Sequence, residues 1–122
     1  RGTMPQGRSN HSATFVPPRI AGSGYPAGYL LLFGGNVDGE VTNSLEVLDL
    51  ATHSWVRAST LSPLCPDPRN SHSATLIGDG VLIIGGGTAC GRVGGPPRGG
   101  CDLTDSWWLK GLQGAGPFIF AR

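Results

Sequence analysis

Hydrophobic and polar positions change over in short blocks along this chain, and no block carries a helical period. Gly or Pro interrupts nearly every window of about twelve residues, so a sustained 3.6-residue apolar stripe has no room to form. The pattern predicts strands and almost no helix. First strands fall at residues 11–16 and 72–77, second strands at 29–33 and 81–84, third strands at 44–50 and 106–109. Fourth strands start near Trp55 and near Phe118. The second strands are apolar throughout, as expected when both faces of a sheet are covered. Gly78-Asp79-Gly80 reads as a tight turn between two strands, and Ala51-Thr52-His53-Ser54 as another. The expected unit is a four-stranded antiparallel meander, made twice.

That doubling is explicit in the residues. Arg8-Ser9-Asn10-His11-Ser12-Ala13-Thr14 returns as Arg69-Asn70-Ser71-His72-Ser73-Ala74-Thr75, 61 positions on. Each copy runs into an apolar strand that ends in a glycine pair, Gly34-Gly35 or Gly85-Gly86. Self-similarity at a fixed period is the mark of a repeat architecture. The copies divide the chain into 1–62 and 63–122. They differ in their loops. Copy one has a long first-to-second loop, 17–28, where copy two has three residues; copy two has a long second-to-third loop, 87–104, where copy one has 36–42.

Composition narrows the function classes. Nine basic and eight acidic residues leave a formal charge of +1 with no run of either sign, so the basic footprint of a nucleic-acid partner is missing. No apolar stretch approaches the ~18 residues of a membrane span, and no signal peptide is visible. The 21 Gly and 10 Pro bring the chain near the level where disorder must be weighed, but the strand-length apolar runs between them argue for a folded domain. Three Cys, an odd number, do not make a disulfide scaffold. A reducing, cytoplasmic setting is the expectation.

The repeated elements resemble the kelch repeat: Arg-x-x-His-Ser-Ala, the apolar run, Gly-Gly, Asn43-Ser44-Leu45-Glu46-Val47-Leu48-Asp49, and Trp55 after a short turn. The resemblance covers nearly the whole chain. It implies an all-β fold in which each copy is one four-stranded blade of a β-propeller. Two blades do not close a ring, since propellers have about 4–8, so further blades in the same chain or by assembly are expected. Copy two departs from the pattern. Lys110-Gly111 stand where Tyr-Asp belong, and Phe118 stands in for the late Trp. The structural residues are then Arg8, His11, Gly34, Gly35, Trp55, His72, Gly85, Gly86 and Phe118. The glycines let neighbouring blades approach closely, Trp55 and Phe118 supply buried area, and Arg8 and Arg69 brace blade to blade.

Chemical motifs are sparse. His11-Ser12 and His72-Ser73 sit at equivalent repeat positions, which argues for a structural role rather than a nucleophile and base. Asp49 and His53 have part of the E-x-x-x-D-x-x-x-H iron spacing of kelch-like specifier proteins, but the Glu position is Leu45. A lone Asp and His are too few ligands. By strand alternation, Cys90 and Cys101 share one face with Cys65 and His72; free thiols or a Cys90–Cys101 pair fit their spacing better than a zinc site. The stretch 91–100 lacks the Lys-Ser/Thr and following helix of a phosphate loop, and reads as a mobile surface loop or a binding loop. No catalytic residue, metal or cofactor is assigned.

The resemblance implies a protein-interaction module, a substrate receptor or scaffold such as an F-box/kelch ubiquitin-ligase adaptor. The alternative it leaves is a piece of a propeller enzyme of the metal-dependent specifier or galactose-oxidase-like type. Kelch propellers use second-to-third loops and blade-to-blade connections for partner binding. Arg92 and Arg98 on the first and Arg69 at the end of the second therefore form the expected binding set, directed at an acidic protein or peptide.

Overall fold

The structure, a computed structural model, describes residues 7–56, 58–61, 65–89 and 100–122. Copy one contributes β1 (Ser12–Val16), β2 (Tyr29–Phe33), β3 (Asn36–Val37), β4 (Glu40–Val41), β5 (Leu45–Asp49) and β6 (Ser54–Val56). Copy two contributes β7 (Ser73–Ile77), β8 (Gly80–Ile84), β9 (Gly87–Ala89), β10 (Gly100–Asp102), β11 (Ser106–Lys110) and β12 (Ile119–Ala121). Eight of the strands form two antiparallel meanders, β1-β2-β5-β6 and β7-β8-β11-β12. Two short features are helical: α1 (Pro18–Ala21, four residues), opened by Pro at its first position, and a three-residue 3-10 turn at Gln113–Ala115.

The registers superpose. Ser12 faces Phe33 as Ser73 faces Ile84, and Phe33 faces Leu45 as Ile84 faces Ser106. From Ser12 to Ser73 and from Leu45 to Ser106 the offset is 61, but from Phe33 to Ile84 it is 51. Copy two thus loses ten residues between its first and second strands and regains ten between its second and third. That exchange keeps the repeat at 61 although the loops differ.

The core lies between the two sheets. Period-two alternation turns Tyr29, Leu31 and Phe33 inward from β2, with Leu30 and Leu32 half-buried on the other side. Val47 joins them; Val81, Ile83, Trp107, Leu109 and Phe120 face them from the second sheet, all buried. Phe120 is the hinge of this packing, 5.9 Å from the Phe33 ring and 6.2 Å edge-on to Trp107. Each large side chain so buried contributes roughly 1.5–3 kcal/mol.

Three sequence expectations change here. The segments 36–42 and 87–104 are not plain loops, since each blade folds part of its segment into a two-stranded ribbon, β3/β4 or β9/β10. Backbone pairing between the ends of a connection was invisible because neither segment alternates in hydropathy. The fourth-strand aromatic of copy two is Phe120 rather than Phe118: Phe120 pairs with Leu109 as Trp55 pairs with Leu48. Phe118, fully buried, serves the seam instead. Its N–H donates to the Ser59 carbonyl, and its carbonyl accepts from the Leu61 N–H, so the connection between blades runs parallel to it. Trp55 itself is only half-buried.

Candidate functional site

Strand alternation sends residues 34–44, 58–61, 65–72, 85–89 and 100–105 to one end of the sheets, the ribbon face. The 17–28 insertion, the turns at 50–53 and 78–79, and residues 111–118 occupy the other end.

The ribbon face is built on two arginines. Arg8 donates to the Gly34 carbonyl (3.2 Å) and Ser44 Oγ (2.9 Å), and its Nη2 lies 3.3 Å from Glu46 Oε2. Arg69, 61 residues on, donates to the Gly85 carbonyl (3.0 Å) and to both carboxylate oxygens of Asp105 (2.9 and 3.1 Å). Its Nε donates to the Asp67 carbonyl. Ser44 and Asp105 are equivalent, each 36 residues after its arginine. The carboxylate has moved from position 46 in one blade to 105 in the other, because position 107 is the buried Trp107, whose Nε1 donates to Asp105 at 2.7 Å. Desolvating a guanidinium costs several kcal/mol and is tolerated only with a full set of partners; the fork–fork pair supplies it. Hydrogen bonding from Arg69, against the opposing cost of burial, holds the Asp105 carboxyl down at about 2.

Arg69 is therefore not a rim residue. Its side chain is fully buried, so it is not available to a partner, contrary to the expectation from its place at the end of a connection. Nor do the two guanidiniums brace blade to blade; each closes its own blade. The bracing runs through backbone. The Gly35 N–H donates to the Arg69 carbonyl, the Arg69 N–H to the Thr42 carbonyl, and the Ser71 N–H to the Asn10 carbonyl.

His72 crosses the same seam. Its Nε2 lies 2.9 Å from Ser12 Oγ, and Ser12 donates in turn to the Phe33 carbonyl at 3.4 Å. With the serine proton so used, Nε2–H is the donor and Nδ1 carries the lone pair. Nδ1 is buried without a hydrogen-bond partner among the described residues, and the Phe33 ring meets the imidazole edge-on at 5.1 Å. Burial first, then the nearby Arg69 charge, lowers the imidazole to about 4. His11, the equivalent residue, is exposed.

The ribbons stand side by side across the seam. Ser9 and Asn36 exchange backbone hydrogen bonds, as Asn70 and Gly87 do, and Asn70 Nδ2 donates to Asn36 Oδ1 at 2.9 Å. Asp38-Gly39 form the tip of the first ribbon, next to the exposed Glu40. The ladder of the second ribbon ends at the Ala89–Gly100 pair, the described residues on either side of the 90–99 stretch. Arg92 and Arg98 belong to that stretch and lie outside the described residues, as does Cys90; Cys101 is on β10, and Cys65 is a free, exposed thiol. Among the described residues no three His, Cys, Asp or Glu gather as metal ligands would. Asp49 accepts the Ala51 N–H across its turn, and His53 occupies that turn at φ 55°.

Sequence reasoning missed Asp105, and with it the burial of Arg69. The available signal was the shared offset of 36 from each arginine. Nothing in the hydropathy pattern marked Asn36 and Asn70 as partners.

Comparison with known proteins agrees with this geometry. The Kelch motif family matches residues 21–62. The chain is 37% identical over 86 residues to acyl-CoA-binding domain-containing protein 5 of Arabidopsis thaliana, covering 70% of this chain and 12% of that protein. Host cell factor 2 of Homo sapiens is 36% identical over 86 residues, 70% of this chain and 10% of that protein. Kelch domain-containing protein 10 of Xenopus tropicalis is 32% identical over 77 residues, 60% and 19% respectively. The chain thus spans less than a fifth of the length of each of these relatives.

Proposed function

The chain belongs to the kelch-repeat family, and on that premise we propose that its ribbon face is the docking surface of a substrate receptor or scaffold whose partner is an acidic protein or peptide. That the two blades make a protein-interaction module follows from the family. The choice of face rests on one observation: Asn70 bridges the two ribbons, bonding Asn36 of β3 through its side chain and Gly87 of β9 through its backbone. A rigid platform holding up a connection is the usual way a scaffold presents a recognition segment. The 90–99 stretch contributes Arg92 and Arg98 and a Pro96-Pro97 pair that limits its entropy. Arginine suits bidentate pairing with carboxylates.

Replacing both Arg92 and Arg98 with Ala in the full protein is expected to weaken partner binding by roughly 1–3 kcal/mol at low salt. The effect falls mainly on association rate and shrinks as salt rises. Pull-downs that recover the same partners equally with and without the double substitution would overturn this reading.

A further inference from the structure

The face opposite the ribbons carries a cleft of about 430 Å³ at the blade seam, lined among others by Arg19, Ile20, Asp79, Lys110, Gly111 and Gln113. Two of its walls are the segments where the copies stop resembling each other. One is the 17–28 insertion, with α1, absent from copy two. The other is Lys110 onward, where copy one has the short turn after Asp49, the residue equivalent to Lys110. Scaffold positions repeat, and these do not; departures from a repeat map to its loops, where binding residues commonly sit.

The walls are held together. Tyr29, fully buried, donates from its hydroxyl to the Leu112 carbonyl at 2.6 Å across the seam. Gly22, at φ 96°, lies so close to Gln113 that an added Cβ would come 3.3 Å from its Cγ. The cleft is thus preformed rather than a gap between independent loops. Arg19 comes from one blade and Lys110, the chain's one lysine, from the other. Both are exposed, and neither has an ion-pair partner among the described residues. Asp79 is the third charge.

We propose that this cleft binds an acidic segment of a partner protein, with Arg19 and Lys110 each taking a carboxylate and Asp79 setting its direction. Two unpaired cations against one carboxylate leave the cleft net positive, which suits an acidic segment. The site is independent of the ribbon face, and the two surfaces open at opposite ends of the sheets.

The test uses the full protein with Arg92 and Arg98 already changed to Ala, so that a ribbon-face response cannot mimic the result. The probe is a fluorescent hexaglutamate blocked at both ends, followed by anisotropy at low salt. Saturable binding is expected that weakens with ionic strength. Arg19→Ala and Lys110→Ala are each expected to weaken it about tenfold, and Asp79→Asn to strengthen it. These are surface positions, and an unchanged melting temperature certifies the fold of each variant. Binding that is absent from the Arg92/Arg98 background, or that survives loss of both Arg19 and Lys110, overturns the proposal. So does competition by inorganic phosphate at the concentration where hexaglutamate itself competes, which would mark a simple anion site.

Discussion

At the scale of single residues, the seam is held by polar groups whose protonation it dictates. His72 is kept neutral first because burial disfavours the charged imidazole, and then because the Arg69 charge lies nearby. The unfolded chain binds that proton near pH 6.5 and the folded one only near 4. Between those values the unfolded state carries more protons, so stability rises with pH there and is lost on acidification from about 6.5 to about 4. The loss is at most about 3 kcal/mol, and less to the extent that solvent reaches the ring. Asp105, lowered to about 2, acts in a separate window: its stabilisation is intact above its ordinary 3.8 and disappears only as pH falls from there towards 2. Denaturant titrations of the full protein at pH 7, 5.5 and 4 are expected to show the first loss, and His72→Gln to flatten it. A wild-type profile as flat as that of the variant across this range would show that His72 is not the titrating group.

At the scale of elements, the two glycine pairs show how identical motifs acquire different burdens. Gly34 and Gly85 are equivalent, both with left-handed backbone, at φ 69° and 65°. A Cβ on Gly34 would sit 2.7 Å from the Arg69 carbonyl and 2.7 Å from His72 Cε1, because the second blade packs there. On Gly85 its nearest neighbour would be the Leu103 carbonyl at 3.4 Å. Both Gly→Ala changes incur the ~1–2 kcal/mol of a left-handed Ala, and Gly34→Ala adds a backbone clash worth a further ~1–3 kcal/mol. Equal losses of melting temperature for the two variants would contradict this account. The six five-residue strands were legible in the sequence because apolar runs and glycine punctuation are local signals. The ribbons, the Phe120 register and the Arg69–Asp105 pair were not, because each depends on which backbone or side chain comes alongside from elsewhere in the chain. The candidate site divides the same way. Its face followed from strand alternation, while the burial of Arg69 followed only from where Asp105 landed.

At the scale of the whole molecule, one side of each sheet is used and the other is left bare. Phe15 on the first sheet is 49% exposed, and Ile77 and Ile84 on the second are 50% and 46% exposed. Each alternates along its strand with residues turned to the core, buried on β1 and β8 and half-buried on β7. The outer strands β6 and β12 pair on one side only along their named ladders, and such edges recruit further strands. The two bare faces differ, one belonging to the first blade and the other to the second, so contact between copies of this polypeptide runs head to tail. Head-to-tail contact continues until a ring closes or a filament grows. Rings of about 4–8 blades are stable for propellers, which for a two-blade unit means two to four copies. The 122-residue polypeptide expressed by itself is therefore expected to sediment as oligomers whose mass rises with concentration, and to melt without a single cooperative transition. Each half-exposed side chain that becomes buried between copies returns on the order of 1 kcal/mol. Ile77→Thr with Ile84→Thr should accordingly shift the distribution towards monomer while leaving the seam intact, since neither residue touches the core between the sheets. A sharp two-state transition at monomer mass, unchanged by that pair of substitutions, would mean that these faces are satisfied within the two blades alone.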